Sequence, residues 1–120
     1  DNLILTIDYN KMQSLDFCEN TLKLHSLPDK WRTFGWNVID IDGHNHDELK
    51  AAYKAAKEHK GSPTVVIANT VKGKGISFME FDILWHYRFP HEGEEYDGAL
   101  KELHAAMPEG VVDPYEEAGK

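Results

Sequence analysis

The hydrophobic residues of this chain are concentrated in three short runs, and polar residues follow each run. The runs cover residues 3–7, 36–41 and 64–69, and they are rich in aliphatic and β-branched side chains. Such bounded runs predict β-strands, and an unbroken run like the first predicts a strand buried on both faces of a parallel sheet. We therefore predict three strands, and the first needs cover on both faces that no preceding segment of this chain supplies.

Between these runs, hydrophobic residues recur at the three- and four-residue spacing of amphipathic helices. We predict one helix that begins after Ser26 and ends at Gly35, and a second that begins after Asn45. A last helix is predicted to begin after Asp97 and to end at Pro108. Strands separated by helical segments imply crossovers and a parallel sheet, so the predicted fold class is α/β.

Three segments show no clear helical or strand period. Residues 14–23 are predicted to form a loop over the edge of the sheet, and residues 76–95 are rich in aromatic residues and histidine. The acidic end of the chain, residues 108–120, is predicted to be a linker or a disordered tail. Residues 1–107 then form one structural domain.

Composition and charge exclude two classes of partner. The net charge is −8, with 21 acidic and 13 basic residues, which argues against binding to the phosphate backbone of nucleic acids. There is no apolar run of transmembrane length and no signal-like start, so we expect no membrane association and a cytoplasmic protein. The single cysteine, Cys18, is expected to be an ordinary free thiol.

Candidate chemistry lies where the first and third strands end. In open α/β sheets, ligands bind at the carboxyl ends of the strands. Asn10 follows the first strand, either as a turn residue that bonds to its own backbone or as an oxygen donor to a hard cation. Residues 70–75, TVKGKG, follow the third strand, and their glycines and lysines suit either an anion site or a basic turn.

The histidines give one further candidate. His44 and His46 lie at a polar helix entry and lack the accompanying residues of a zinc site. His86 lies between Trp85 and Tyr87, where an imidazole can pack, bind a phosphate or exchange a proton near neutral pH. The pattern of residues by itself favours packing.

Three motifs follow one another along the chain: DYNKMQ after the first strand, TVKGKG after the third strand, and then the pair WH. In this order they resemble the thiamine diphosphate-binding domain of transketolases, most closely the amino-terminal subunit of the split, two-gene bacterial form. The resemblance runs from Asp1 to about His86. It implies a partial three-layer sandwich with a mainly parallel sheet, in which residues 1–107 are the carboxyl-terminal half of the diphosphate-binding domain.

The resemblance also implies roles for four residues. Asn10 falls on the asparagine whose side-chain oxygen binds the divalent metal, Mg²⁺ or else Ca²⁺ or Mn²⁺, that holds the diphosphate. Met12 falls on a residue that binds the same metal through its main-chain carbonyl. Lys72 falls on a lysine near the cofactor. His86 falls on a histidine placed at the diphosphate and the substrate, which makes it the candidate catalytic residue.

A reaction and a set of partners follow from the same resemblance. A transketolase transfers a two-carbon ketol unit from a ketose to an aldose, with sugar phosphates as substrates. The family's Gly-Asp-Gly motif precedes the part of the domain that this chain resembles, and the glutamate that activates the cofactor lies in a separate pyrimidine domain. We therefore expect the chain to act in an oligomeric assembly with both, and to be inactive alone.

Two alternatives stay open. The chain could be a binding or assembly module that keeps the fold without catalysis. Tyr87 favours this alternative, because the family usually has glycine after the WH pair. The chain could also be an α/β domain unrelated to thiamine that binds a nucleotide or a phosphosugar.

Overall fold

A computed structural model describes residues 1–111 of the chain. Its contacts divide the chain into two units, Asp1–Lys72 and Gly73–Lys120. Of the predicted tail, residues 108–120, the part from residue 112 onward lies outside the described residues. Within residues 1–111, no helix is long and apolar enough to cross a membrane.

A three-stranded parallel sheet forms the centre of the first unit, with the strands in the order β1-β3-β2. The elements of this unit along the chain are β1 (Ile4–Tyr9), α1 (Cys18–Thr21), α2 (Leu27–Thr33), β2 (Asn37–Asp42), α3 (His46–Glu58) and β3 (Thr64–Asn69). The predicted α/β class and the parallel sheet are therefore confirmed. All three predicted strands are present.

The central strand, β3, is the buried strand. Its residues from Thr64 to Ala68 are at most 5% exposed. In β1 the burial alternates, and Thr6 is exposed, with its hydroxyl 2.8 Å from the hydroxyl of Tyr53. Within this chain β1 is less buried than β3, because β1 lies at an edge of the described sheet and α3 packs against β2 and β3.

Polar side chains fix the starts of α2 and α3 where they were predicted. The Ser26 hydroxyl accepts a hydrogen bond at 3.3 Å from the backbone N–H three residues on. Asn45 Oδ1 accepts two such bonds, at 3.0 and 3.2 Å, from the backbone N–H groups two and three residues on. These bonds satisfy donors that the first helical turn leaves unpaired. Beyond its cap, α3 buries Ala52 and Ala56.

The predicted loop at residues 14–23 contains a short helix, α1. Phe17 pairs with Met12 in an antiparallel bridge, and Cys18, which follows it, is buried as the free cysteine that composition predicted. A helix of four residues is too short to show a hydrophobic period, so the pattern could not predict it. The bridge folds this segment back onto the end of β1.

The second unit contains a 3₁₀ helix at Ile83–His86 and a longer helix, α4, at Glu94–Ala106. The predicted cap, Asp97, lies inside the first turn of α4, and the helix begins after Gly93, whose φ is +96°. Acidic residues in the first turn interact favourably with the helix dipole, but that turn lacks the hydrophobic period used for the prediction. The spacing of hydrophobic residues therefore predicted only the later part of α4.

Candidate functional site

The three strands of the first unit end side by side at one edge of the sheet. In the strand register, Asn69 of β3 lies between Tyr9 of β1 and Asp42 of β2. The residues that follow stay bonded together, because Gly43 N donates to Asn69 O at 2.8 Å and Thr70 N donates to Tyr9 O at 3.3 Å. Side chains from three distant parts of the sequence therefore meet at the carboxyl edge, where ligands bind in open α/β sheets.

A tight turn after β1 contains both predicted metal ligands. Met12 N donates a hydrogen bond of 2.9 Å to Asn10 Oδ1, and both residues are half-buried. Lys11 between them has a left-handed φ of +67°, and its carbonyl accepts a hydrogen bond of 2.8 Å from Cys18 N. Asn10 is thus a turn residue that bonds to its own backbone, one of the two interpretations of the sequence. A carbonyl-type oxygen has a second lone pair, so this bond still allows Asn10 to bind a cation.

The side chain of Lys11 connects this turn to the two neighbouring strand ends. Its Nζ donates to Tyr9 O at 3.0 Å and to Asn69 Oδ1, and it lies 3.7 Å from the centroid of the Tyr9 ring. Burial lowers the pKa of the Lys11 ammonium, and the Asp40 carboxylate partly offsets that effect. The motif DYNKMQ contained Lys11, but sequence reasoning gave it no role.

Asn69 continues the connection to β2. Its Nδ2 donates to Asp40 Oδ1 at 2.5 Å and to Ile41 O at 3.0 Å. The side chains of Lys11, Asn69 and Asp40 therefore form one hydrogen-bonded chain across all three strands, which we call the edge network. Sequence reasoning missed this network, and its only local signal is a polar residue at the end of an apolar strand.

Two other polar groups organise the backbone just after β3. The Thr70 hydroxyl donates to the carboxylate of Asp8. His44 Nε2 accepts a hydrogen bond of 2.8 Å from Val71 N, and His44 N donates to Asp42 Oδ1 at 2.9 Å. His44 therefore holds the chain that leads to Lys72. Among the described residues there is no cluster of three His, Cys, Asp or Glu side chains that could hold a metal ion.

The boundary between the two units lies in the turn after β3, between Lys72 and Gly73. Lys72 is half-buried and is the last residue of the first unit. Gly73 has a φ of +76°, and a Cβ at this position would lie 2.6 Å from the carbonyl carbon of Met79. This position therefore requires glycine, because a Cβ would collide with the backbone of Met79. Next to it, Lys74 Nζ lies 3.3 Å from Glu80 Oε1.

In the second unit, His86 is the last residue of the 3₁₀ helix and is exposed. The Asp82 carboxylate caps this helix, since its Oδ1 accepts a hydrogen bond of 2.8 Å from Leu84 N. The rings of His86 and Tyr87 are in edge contact, with centroids 5.5 Å apart. Tyr87 has a φ of −118°, a conformation that does not require glycine.

Trp85, the other residue of the WH pair, contacts two neighbouring side chains. Its Nε1 donates to Phe78 O at 3.0 Å, and its ring centroid lies 5.4 Å from that of Phe78. The guanidinium of Arg88 lies 4.4 Å from the Trp85 ring and bonds to Glu95 of α4, with Nη2 and Oε1 2.5 Å apart. The Trp85 side chain is therefore packed, while His86, for which the residue pattern favoured packing, is exposed.

The second unit also has a pocket of about 420 Å³, lined by Phe78, Trp85, Glu94, Glu95, Gly98 and Glu102. Hydrogen bonds from Arg88 lower the pKa of Glu95, and bonds from Ser77 lower that of Glu102. These carboxylates are therefore ionised at neutral pH. Their charge makes the pocket unsuitable for a diphosphate.

The four predicted site residues are thus divided between the two units. Asn10 and Met12 lie in one turn, Lys72 ends the same unit, and His86 belongs to the other. The oxygen donors of Asn10 and Met12 fit a hard divalent cation, which prefers amide and main-chain carbonyl oxygens. Two neutral ligands supply part of the six that Mg²⁺ requires.

Comparison with known proteins adds a family to this geometry. The model of the family described as "Transketolase, thiamine diphosphate binding domain" matches residues 1–83. The chain is 48% identical over 86 residues to the 6-deoxy-6-sulfo-D-fructose transketolase subunit SqwG of Clostridium sp. (strain MSTE9), a match that covers 72% of this chain and 31% of that protein.

Two other matches agree with this result. The chain is 33% identical over 103 residues to an apulose-4-phosphate transketolase subunit of Phocaeicola vulgatus, covering 86% of this chain and 36% of that protein. The crystal structure of transketolase from Campylobacter jejuni superposes with a TM-score of 0.64 at 25% identity, covering 69% of this chain and 13% of that one. The chain therefore spans about a third of the length of the two bacterial subunits.

Proposed function

Because this chain belongs to the transketolase family through its thiamine diphosphate-binding domain, we propose that it acts in an enzyme that transfers a two-carbon ketol unit from a ketose to an aldose. The observation that carries this proposal is the match of residues 1–83, which includes the turn at Asn10 and the segment of Lys72. Family membership removes the alternative of a domain unrelated to thiamine.

Asn10 and Met12 are the proposed metal ligands of this chain. Asn10 Oδ1 and the Met12 carbonyl would bind a divalent metal, Mg²⁺ in the first place, and the Met12 N–H bond of 2.9 Å would keep Asn10 Oδ1 oriented. The remaining ligands would come from the diphosphate and from the Gly-Asp-Gly segment of the family. When bound, thiamine diphosphate supplies the carbon nucleophile and electron sink for ketol transfer.

Lys72 and His86 are the proposed contacts to the anionic groups of cofactor and substrate. The ammonium of Lys72 would stabilise negative charge near the cofactor. His86 is exposed at the end of the 3₁₀ helix, so its imidazole can reach a bound molecule. It would donate a hydrogen bond or exchange a proton near neutral pH, and it is the proposed catalytic residue.

The proposed substrates are sugars that carry an anionic group. The relatives include a subunit of 6-deoxy-6-sulfo-D-fructose transketolase and a subunit of apulose-4-phosphate transketolase, which supports a sulfonated or phosphorylated sugar. Both relatives are named as subunits, which supports an oligomeric assembly with a partner that carries the pyrimidine domain. We place this assembly in the cytoplasm, as composition suggested.

The test is ketol transfer by an assembly that contains this chain, the Gly-Asp-Gly segment and a partner with the pyrimidine domain. With Mg²⁺ and thiamine diphosphate present, Asn10→Ala should weaken metal and cofactor binding together, by about tenfold for the loss of one ligand. His86→Ala should lower turnover by about 10²-fold or more, with a smaller effect on cofactor affinity.

Two exposed residues outside the site provide matched controls, Asn20→Ala in α1 and His46→Ala at the start of α3. Both should leave binding and turnover unchanged. Failure of the assembly to bind thiamine diphosphate with Mg²⁺ would contradict the proposed function. Unchanged turnover in His86→Ala would remove His86 from the catalytic machinery.

A second candidate function is a cofactor-binding or assembly module without ketol transfer. The observation that favours it is Tyr87, which is 64% exposed at the position where the family usually has glycine. A bulky ring there would restrict the approach of a sugar next to His86. Cofactor binding without transfer in the assembly, together with transfer restored by Tyr87→Gly, would support this candidate.

A further inference from the structure

Lys11 has a backbone conformation that lysine rarely adopts. Its φ of +67° lies in the left-handed region, between the two residues proposed to bind the metal. An L-residue with a Cβ is sterically strained there, and glycine is the usual residue. Such strain persists only where the surrounding structure holds the residue in place, and it is common at ligand sites.

The side chain of Lys11 makes the contacts that hold this backbone conformation in place. Its ammonium donates to Tyr9 O at 3.0 Å and to Asn69 Oδ1, and it lies 3.7 Å from the centroid of the Tyr9 ring. These contacts join the strained residue to the ends of β1 and β3. Hydrogen bonds from a charged donor are stronger than neutral ones, so this is an effective tether for an exposed edge.

Asn69 makes the tether rigid. Its Oδ1 accepts from Lys11, and its Nδ2 donates to Asp40 Oδ1 at 2.5 Å and to Ile41 O at 3.0 Å. The amide therefore cannot rotate without losing bonds to Lys11 or β2. Because Asn69 is the last residue of β3, the ammonium of Lys11 is anchored to the end of the most buried strand of the sheet.

We propose that Lys11 is a positioning residue, whose ammonium ties the turn from Asn10 to Met12 to all three strands and so keeps the oxygens of both residues in place for a divalent cation. Lys11 is not itself a ligand, because an ammonium group has no lone pair to offer a metal. The identity of the two ligands rests on the proposed function. The tether itself rests on the contacts of Lys11 and Asn69.

The first test follows the backbone amide of Met12, whose bond to Asn10 Oδ1 reports the shape of the turn without any metal. In the 120-residue chain, Lys11→Met keeps the aliphatic stem and removes the ammonium. Hydrogen exchange at Met12 N should become about tenfold faster, the change expected for loss of a charge-assisted bond. Lys11→Arg keeps a cationic donor and should restore slow exchange. Lys50→Met, on the exposed face of α3, is the control.

Lys11→Gly separates positioning from simple stability. Glycine removes the backbone strain together with the tether, so the free energy of unfolding should stay close to that of the original chain, while exchange at Met12 N should still accelerate. Unchanged exchange in both Lys11→Met and Lys11→Gly would overturn the proposal. A loss of unfolding free energy in Lys11→Gly with unchanged exchange would also overturn it, because Lys11 would then act on stability alone.

The second test measures the Mg²⁺ concentration that gives half-maximal cofactor binding in the assembly. Lys11→Met should raise this concentration by about tenfold, and Lys11→Arg should reverse most of the change. If Asn10→Ala raises it and Lys11→Met does not, the positioning role is overturned and the proposed function stands. If Asn10→Ala also has no effect, the proposed ligands fail and the positioning role fails with them.

Discussion

One amide oxygen has two uses at Asn10. Its Oδ1 accepts the Met12 N–H at 2.9 Å, which shapes the turn, and the same atom is the proposed metal ligand. A turn that orients the oxygen before the cation arrives lowers the ordering cost of binding. The structural and functional interpretations of Asn10, which were alternatives at the level of sequence, are therefore compatible in the folded chain.

The edge network shows why part of the site could not be predicted. Asn10, Met12, Lys72 and His86 were proposed from the resemblance to a family, which rests on short contiguous motifs. Lys11 and Asn69 are 58 positions apart, and Asn69 and Asp40 are 29 apart. No spacing rule connects such residues, because their contact depends on β3 lying between β1 and β2 in the sheet.

The glycines and lysines of the TVKGKG turn had two interpretations, an anion site or a basic turn. Gly73 has a φ of +76°, and its missing Cβ makes room for the backbone of Met79. Gly35 has a similar φ of +82° but nothing within 4 Å of a Cβ. The two positions therefore differ in steric contact while sharing one backbone conformation.

We predict that Gly73→Ala lowers the free energy of unfolding by about 2–4 kcal/mol, from left-handed strain plus overpacking against Met79. Gly35→Ala should cost about 1 kcal/mol, from the strain alone. Urea denaturation followed by circular dichroism measures both values. Equal losses at the two positions would mean that the contact with Met79 does not require glycine.

Among the elements, local hydrophobic patterns predicted where the strands lie better than they predicted how buried each strand is. All three strands formed where hydrophobic runs were found, and the caps Ser26 and Asn45 act as expected. The buried strand is β3 rather than β1, because burial depends on the order of strands in the sheet and on the side against which helices pack. The start of α4 was missed because Gly93 begins the helix without a side-chain cap.

One ion pair connects the segment of the WH pair to α4. Arg88, two residues beyond the 3₁₀ helix, bonds to Glu95 in the first turn of α4, with Nη2 and Oε1 2.5 Å apart. Glu95 also accepts a hydrogen bond of 2.9 Å from His91 N. These contacts hold both ends of the connection between the two helices. The hydrogen bond from Arg88 is the main reason that the pKa of Glu95 is lowered.

This connection should depend on pH. Because the pKa of Glu95 is lowered by folding, its stabilising contribution is present above the ordinary range of a glutamate and is lost as the pH falls through the lowered pKa. Glu95→Gln should therefore lower the thermal midpoint at about pH 7, and this difference should shrink as the pH falls below the ordinary pKa of a glutamate, about 4.3. Melting curves across this range test the prediction, with Glu92→Gln as the control. A difference in thermal midpoint between Glu95→Gln and the original chain that stays constant across the pH range would contradict the prediction.

For the whole molecule, the donors of the proposed metal site are few and neutral. Within residues 1–111 there is no cluster of three acidic, histidine or cysteine side chains that could hold a metal, and the proposed ligands Asn10 and Met12 carry no charge. Cation affinity in oxygen sites falls as the number of charged ligands falls. The net charge of −8 is therefore a poor guide to the affinity of this chain for a metal.

We predict that the isolated 120-residue chain binds Mg²⁺ with a Kd weaker than about 1 mM, and thiamine diphosphate weakly or not at all. Isothermal titration calorimetry of the chain, with and without Mg²⁺, measures both affinities. The assembly with the Gly-Asp-Gly segment, which would add a charged ligand, is the comparison. Tight cofactor binding by the isolated chain would contradict the prediction and would mean that two neutral ligands are sufficient.

The position of β3 also determines the order in which the first unit can assemble. β1 and β2 both pair with β3, which is the last of the three strands along the chain. During synthesis, Ile4 of β1 cannot pair until Thr64, its register partner in β3, has been made. Until then, no two strands of the described sheet can pair. Closing so long a loop slows folding. Within the described sheet, β1 and β2 therefore lack their pairing partner until residues 64–69 have left the ribosome, and unpaired strand edges favour aggregation.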